Sequence, residues 1–264
     1  MKKYFVIGKP INHSLSPKLH NYWFKKNNIE ATYEKKETDE KNLKTIISEV
    51  KEKKISGINV TVPFKKAVIP YLDKLSPEAE QTKSVNTIIL SNDNLVGHNT
   101  DIAGFTKAIK KLQFNIEGKK IFILGAGGVV PSIIFALKNM NVLHITVSNR
   151  TREKAEDLKV QFHNLEILDW GKIMDFDVII NATSLGLNKE FINLDFSKFE
   201  NNKLFYDVIY NPAETNFLKE AKKLGNKTEN GKLMFVYQAF EAFKLWHGVE
   251  PQIDKETLEI ISND

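Results

Sequence analysis

Lys119-Lys120-Ile121-Phe122-Ile123-Leu124-Gly125-Ala126-Gly127-Gly128 is the stretch whose reading decides the fold. The apolar run ends abruptly in glycine, and a helix pattern follows through Ile133, Ile134 and Leu137. His144 to Val147 is again strand-like, so strand, loop, helix and strand succeed one another as a βαβ unit. A glycine loop in that context turns sharply and lets backbone approach a phosphate, while the helix amino end adds N–H donors and a favourable dipole. The strict G-x-G-x-x-G spacing fails at its third position, where Val130 stands; Pro131 follows in a first helical turn that tolerates its missing N–H. On the loop alone, a dinucleotide site and a plain strand-to-helix turn both stay open.

The end of the next strand narrows the ligand. An NAD site places Asp or Glu there, about 20 residues past the loop, to hold the ribose 2′-hydroxyl. Here the residues are Asn149-Arg150-Thr151-Arg152. A carboxylate would repel a 2′-phosphate, whereas the planar guanidinium of Arg150 binds one and stacks on adenine, so the expected cofactor is NADP(H). Arg152 and Lys154 either assist or are solvated helix charges.

Toward the amino end, Gly57-Ile58-Asn59-Val60-Thr61-Val62-Pro63-Phe64-Lys65 reads as a strand that ends by presenting a lysine. Alternation puts Asn59 and Thr61 on one face and Ile58, Val60 and Val62 toward packing. Pro63 stops the strand, and Lys65 and Lys66 then open a short helical pattern through Ala67, Val68 and Ile69. A lysine at a helix amino end faces the positive pole of the dipole, a setting that suits a proton donor or acceptor; the competing reading is a surface lysine pair. Asn99-Thr100-Asp101 precedes Ile102, Phe105, Ile109 and Leu112, which have helical spacing. Thr100 is the expected cap and Asp101 the expected first-turn acid, either a structural capping group or the partner of Lys65 in a proton-handling pair. Ser14 and Ser16, ahead of Pro17, read as helix caps from local rules.

Together these pieces resemble shikimate dehydrogenase, along nearly the whole chain. The match begins at Gly8-Lys9-Pro10-Ile11-Asn12-His13-Ser14-Leu15-Ser16-Pro17 and continues through Asn59 to Lys65, Val85-Asn86-Thr87 and Asn99-Thr100-Asp101. It goes on through Gly125 to Gly128, Asn149-Arg150-Thr151, Ile180-Asn181-Ala182-Thr183-Ser184, Tyr206-Asp207-Val208-Ile209-Tyr210, Asn230-Gly231-Lys232-Leu233-Met234 and Gln238. The resemblance implies reversible, NADP-dependent reduction of 3-dehydroshikimate to shikimate, in chorismate and aromatic amino-acid biosynthesis. It gives Lys65 and Asp101 catalytic roles, Ser14 and Ser16 the substrate carboxylate, and Asn59, Thr61, Asn86, Tyr210 and Gln238 the ring hydroxyls. Cofactor contacts are implied at Gly125, Ala126, Gly127, Gly128, Val129, Asn149, Arg150 and Thr151, with Val208 and Gly231 flanking the nicotinamide. A relative that also accepts quinate or uses NAD is the nearest alternative. A non-catalytic ligand-binding regulator on the same fold is disfavoured, because Lys65 and Asp101 are both present.

The expected fold class is α/β in two lobes joined by helices. One is an N-terminal, mostly parallel α/β/α substrate domain over 1–100, completed by C-terminal helices over 238–264. The other is a Rossmann-type, doubly wound NADP-binding domain over 101–237. Ser91-Asn92-Asp93-Asn94 between two strand-like runs predicts a hairpin, the one antiparallel corner of the first sheet. After Gly231, Leu233, Val236, Phe240 and Phe243 form an expected core stripe, with Met234 and Gln238 on another face.

Composition agrees. The chain has 264 residues, 42% of them hydrophobic, enough for one or two ordinary cores, and the length suits two compact domains. Cysteine is absent, which excludes disulfides, a thiol nucleophile and thiolate metal ligands, and suits a reducing cytoplasm. Met1 to Ile7 is too short for a signal core, and no run approaches the roughly 20 apolar residues of a membrane span. The net charge of +5 comes from 38 basic residues interspersed with 33 acidic ones, with no basic arm, so nucleic acid is not indicated, while the mild excess suits either small anions or general solubility. His13 and His20 are the only close histidines and no metal site is expected. The expected state is a cytoplasmic monomer or homodimer.

Overall fold

Short apolar runs set between polar turns build the first sheet. The computed structural model describes residues 1–196, 199 and 201–262. Two units emerge, Met1–Gly104 with Val236–Asp264, and Phe105–Phe235.

In the first unit, β1 (Lys2–Gly8) is followed by α1 (Ser16–Lys26), β2 (Ala31–Glu37), α2 (Leu43–Lys51) and β3 (Gly57–Val60). Next come β4 (Lys74–Leu75), α3 (Pro77–Thr82), β5 (Thr87–Ser91) and β6 (Asn94–His98). The sheet order is β2-β1-β3-β5-β6-β4, and β5 alone runs against its neighbours. The reversal is local: Asn92 and Asp93 both take positive φ, 48° and 57°, the twist a two-residue hairpin needs. One face of the sheet buries Ile7, Ile58, Val60 and Ile88 against Leu43, Ile46, Ile47 and Val50 of α2.

The opposite face is aromatic. Tyr4 packs on Phe24 and Trp246, and Phe243 packs on Trp23 and Phe24. Trp246 Nε1 donates to the Ile88 carbonyl (3.2 Å). A Cβ on Gly57 would lie 2.3 Å from that indole nitrogen, so glycine is what admits the ring to the strand. Leu19, Trp23 and Phe24 supply the buried stripe of α1.

The second unit begins within α4 (Asp101–Lys111) and runs β7 (Lys120–Leu124), α5 (Val130–Asn139), β8 (His144–Ser148), α6 (Arg152–Phe162) and β9 (Leu165–Leu168). It continues with β10 (Val178–Asn181), β11 (Leu204–Asp207), α7 (Asn216–Lys223) and β12 (Lys227–Glu229). This sheet is wholly parallel, in the order β12-β11-β10-β7-β8-β9. The chain winds outward from β7 to β9, then crosses back to β10. The crevice beyond the carboxyl ends of β7 and β10 is therefore the switch point at which such sheets bind ligands. Phe122, Phe176, Ile179, Phe205 and Phe217 fill one of its cores. The chain ends in α8 (Lys232–His247) and α9 (Lys255–Ile260). Trp23 Nε1 donates to the Gln252 carbonyl, and Lys26 pairs with Asp254 at the start of α9.

Three sequence expectations need correction. No α-helix opens at Lys65: residues 62–68 are turns leading into a 3₁₀ segment at Ile69–Tyr71. Pro63 and Pro70 bracket the stretch, which leaves too little chain to propagate a helix. Val62 is 45% exposed, because β3 has already ended at Val60 and its alternation no longer applies. In α8, Val236 and Phe243 are buried, but Leu233 and Phe240 are only half-buried, while Met234, Ala239 and Ala242 are buried as well. A helix buried over so wide an arc has no single stripe.

Candidate active site

In the first unit, Gly8 ends β1 with its Cα close against the Thr61 side chain; a Cβ there would meet the Thr61 methyl at 2.5 Å. Lys9 N–H donates to the Val62 carbonyl (3.0 Å), so the loop that follows starts from the end of β3. Lys35 Nζ from β2 donates to the Asn12 carbonyl, and Lys9 pairs with Asp39. At the far end of this loop, Ser14 Oγ accepts from the Ser16 N–H (3.3 Å) at the first turn of α1, and both serines are buried. The N-cap of α1 is Leu15 with no side-chain cap, so the serines expected as caps do not cap the helix; Ser14 instead closes a short turn onto the Ser16 N–H.

The lysine expected at a helix end is held differently. The Lys65 carbonyl accepts from Val85 N–H (2.9 Å), which fixes the turn, and its Nζ donates to Asp101 Oδ2 at 2.5 Å. The two side chains are only 11% and 7% exposed. Asp101 stands in the first turn of α4, its N–H donating to Asn99 Oδ1 (3.1 Å). Thr100, the expected cap, has its N–H and hydroxyl engaged by Asn86. Asn86 Nδ2 donates to Asp101 Oδ1 (2.9 Å), so both carboxylate oxygens have a fixed partner. A buried ammonium whose counter-ion is itself clamped keeps its N–H donors aimed in a fixed direction.

Asn59 is buried one step behind. Its Nδ2 donates to the Asn86 carbonyl (3.1 Å) and to Thr87 Oγ1 (2.9 Å). Thr61 and Gln238 are half-buried in the same unit. Tyr210 belongs to the second unit, where its ring stacks on Phe235 with centroids 4.5 Å apart.

The second unit carries every residue expected to touch the cofactor. Gly125 adopts φ +110°, and a Cβ there would lie 2.8 Å from the Ala182 carbonyl oxygen beyond β10. Its N–H donates to the Ser148 carbonyl (2.8 Å). Ala126 N–H donates to Asn149 Oδ1 (3.1 Å), and Asn149 Nδ2 donates to the Thr151 carbonyl (2.7 Å), so one amide ties the glycine loop to the turn bearing Arg150. Gly127 and Gly128 follow without side chains, and Val129 precedes α5. Val130, where a third glycine was expected, is fully buried as the first residue of that helix.

Arg150 is exposed and has no protein partner among the described residues. Arg152 is engaged by Glu156 (3.0 Å) and by Asp169, so of the two only Arg150 offers a guanidinium to a phosphate. A Cβ on Gly231 would lie 2.1 Å from the Val208 carbonyl oxygen, a backbone approach that excludes any side chain. A bare loop at a switch point, a free guanidinium and closely set backbone fit a phosphorylated dinucleotide.

Sequence reading assigned no role to Asn181 and Asp207, the polar residues that end the apolar strands β10 and β11. Asn181 Nδ2 donates to Asp207 Oδ1 (3.0 Å), Thr215 Oγ1 to Asp207 Oδ2 (2.6 Å), and Ile209 N–H to Asp207 Oδ1 (3.0 Å). Burial pushes the Asp207 carboxyl up to about 6 despite these donors. The signal available was a buried-type strand closing on a polar residue at the ligand edge of the sheet.

His20 lies in the aromatic layer of the first unit and His13 is exposed. Among the described residues no group of three or more His, Asp or Glu side chains is placed to hold a metal, and no helix is long and apolar enough to cross a membrane.

Three family models match the chain in order: "Shikimate dehydrogenase substrate binding domain" over residues 6–88, "Shikimate / quinate 5-dehydrogenase" over 106–199, and "Shikimate 5'-dehydrogenase C-terminal domain" over 233–255. The shikimate dehydrogenase (NADP(+)) of Pelagibacter ubique (strain HTCC1062) is 55% identical over 99% of both chains. Shikimate dehydrogenase from Aquifex aeolicus superposes with a TM-score of 0.91 at 36% identity, covering 100% of this chain and 98% of that one. Shikimate 5-dehydrogenase from Thermus thermophilus, solved in complex with NADP(H) and shikimate, gives 0.90 at 33% identity, covering 99% and 98%.

Proposed function

The chain belongs to the shikimate dehydrogenase family, and on that footing we propose that it reduces 3-dehydroshikimate to shikimate with NADPH and catalyses the reverse oxidation. The observation that carries this reading is the buried Lys65–Asp101 pair, 2.5 Å apart and clamped by Asn86. When bound, NADPH supplies the hydride. Lys65 exchanges the proton with the C3 oxygen; Asp101 keeps the ammonium aimed and meets a neighbouring hydroxyl. Ser14 and Ser16, buried at the start of α1, hold the carboxylate. Asn59, Thr61, Asn86, Tyr210 and Gln238 read ring hydroxyls. Residues 1–100 with 238–264 form the substrate domain and 101–237 the NADP-binding domain.

Gly125 to Val129, Asn149, Arg150 and Thr151 hold the pyrophosphate and the phosphorylated ribose, and Val208 and Gly231 pack on the nicotinamide. The absence of cysteine suits work in the cytoplasm, as a monomer or homodimer. The test is to mix the protein with shikimate and NADP and follow absorbance of the reduced cofactor. A rise that requires both compounds is expected, and its absence at millimolar shikimate overturns the reading.

A further inference from the structure

Tyr33 lies outside every motif considered above, yet three contacts fix it. The Asn21 side chain on α1 brackets its backbone, Nδ2 donating to the Tyr33 carbonyl (2.8 Å) and Oδ1 accepting from the Tyr33 N–H (2.9 Å). Its ring stacks on buried His20, centroids 4.4 Å apart and 2° from parallel. Its hydroxyl donates to Asn59 Oδ1 at 2.6 Å, and the residue is 1% exposed.

From that hydroxyl a chain of hydrogen bonds runs in a single sense to the Asp101 carboxylate, where it meets the lysine. The Asn86 carbonyl can only accept, so the Asn59 amide must turn Nδ2 toward it, which leaves Oδ1 facing Tyr33. Asn59 Nδ2 also donates to Thr87 Oγ1 (2.9 Å), Thr87 Oγ1 donates to Asn86 Oδ1 (3.1 Å), and Asn86 Nδ2 donates to Asp101 Oδ1 (2.9 Å). Lys65 closes the series on the other carboxylate oxygen. Asn59, Thr87, Asn86 and Asp101 are all buried, where each link is stronger than in water and an unmade one is costly.

We propose that Tyr33 is a positioning residue for the proton transfer: through Asn59, Thr87 and Asn86 it sets the carboxylate plane of Asp101 and thereby the direction of the Lys65 ammonium. This rests on the assignment of Lys65 and Asp101 made above. Tyr33→Phe deletes one hydroxyl and leaves the ring stack and the Asn21 clamp in place. Asn59 Oδ1 then loses its donor, and the amide is held only from its Nδ2 side, by the Asn86 carbonyl and Thr87 Oγ1. Turnover falls roughly tenfold while the shikimate KM stays within about twofold, because no group that meets the substrate has been removed.

Steady-state kinetics with shikimate and NADP on Tyr33→Phe, Asn59→Ala, the double variant and Lys65→Ala decide the matter. The expected result is the tenfold loss of kcat in Tyr33→Phe and no further loss when it is added to Asn59→Ala. Unchanged kcat, a change confined to KM, or an equal loss in both backgrounds overturns the proposal. A disabled Lys65→Ala beside an unaffected Tyr33→Phe overturns it alone, whereas near-normal turnover in Lys65→Ala overturns the assignment of the pair and this inference with it. Should Tyr33→Phe fail to fold, Thr87→Val cuts the same series one link nearer Asp101 and is judged by the same outcomes.

Discussion

Burial separates the two cations on which the functional reading turns. Lys65 is enclosed and paired, so its ammonium has one direction to act in; Arg150 is exposed and unpaired among the described residues. Removing Lys65 should therefore cost rate. Lys65→Ala is expected to lower turnover by about 10²- to 10⁴-fold, the usual share of a positioned proton-transfer group, with a smaller change in shikimate affinity; separate rate and binding measurements check this. Removing Arg150 should cost cofactor choice. A hydrogen bond to a charged group contributes about 1.5 to 3 kcal/mol, so Arg150→Ala should weaken NADPH use roughly 10- to 150-fold and leave NADH almost unaffected. Arg152→Ala is the control: with its guanidinium already committed to Asp169 and Glu156, little change in either cofactor is expected. Kinetics with both cofactors on the three proteins would refute the distinction if Arg152→Ala were the more damaging.

At the scale of elements, Gly57 makes the sharpest prediction. An alanine methyl would collide with the Trp246 indole, which is wedged against Tyr4 and bonded to Ile88 and cannot swing aside as a flexible side chain does. Gly57→Ala is expected to destabilise the protein by about 1 to 3 kcal/mol in urea titrations, with a shift in tryptophan emission. That contact was not legible in the sequence, since nothing in a short strand names a partner almost two hundred residues on. What was legible is what local chemistry dictates: β7, its glycine loop and α5 follow from an apolar run cut by glycines, and the β5–β6 hairpin from Asn92-Asp93. The strands β4, β9 and β12 escaped notice because they are short and lie at or next to sheet edges, where half-exposed residues carry no apolar run. The helix expected at Lys65 failed because the dipole argument presumed an element that two prolines forbid. The residues of the site were found from their motifs, but the hydrogen bonds that orient them depend on which strands become neighbours, and Tyr33 joins the group only through the pairing of β2, β1 and β3.

Across the whole molecule, two buried titratable groups answer acid in opposite senses. Burial, reinforced by nearby His247, holds His20 down at about 3, so the folded protein refuses a proton that the unfolded chain takes near its ordinary value of about 6.5. Stability from this source is present above that value and is lost as pH falls toward 3, by about 2 kcal/mol between pH 7 and 5. Asp207, raised to about 6, works the other way: its folded form holds the proton more firmly, so its contribution is full below about 4 and declines as pH rises through 6. Urea midpoints at pH 7 and 5 should fall less in His20→Leu than in the unaltered protein, and fall further in Asp207→Asn; identical drops in all three would contradict both assignments. The division into units also has a meaning in time. Because Val236–Asp264 belongs with Met1–Gly104, the earlier segment cannot finish its core until the later one has been made. During that interval the seat of Trp246 beside Gly57, the face of Tyr4 and the Ile88 carbonyl stay open to water and to other chains. The unit born second is the first able to close, and the newborn protein is most in need of a chaperone over its oldest segment.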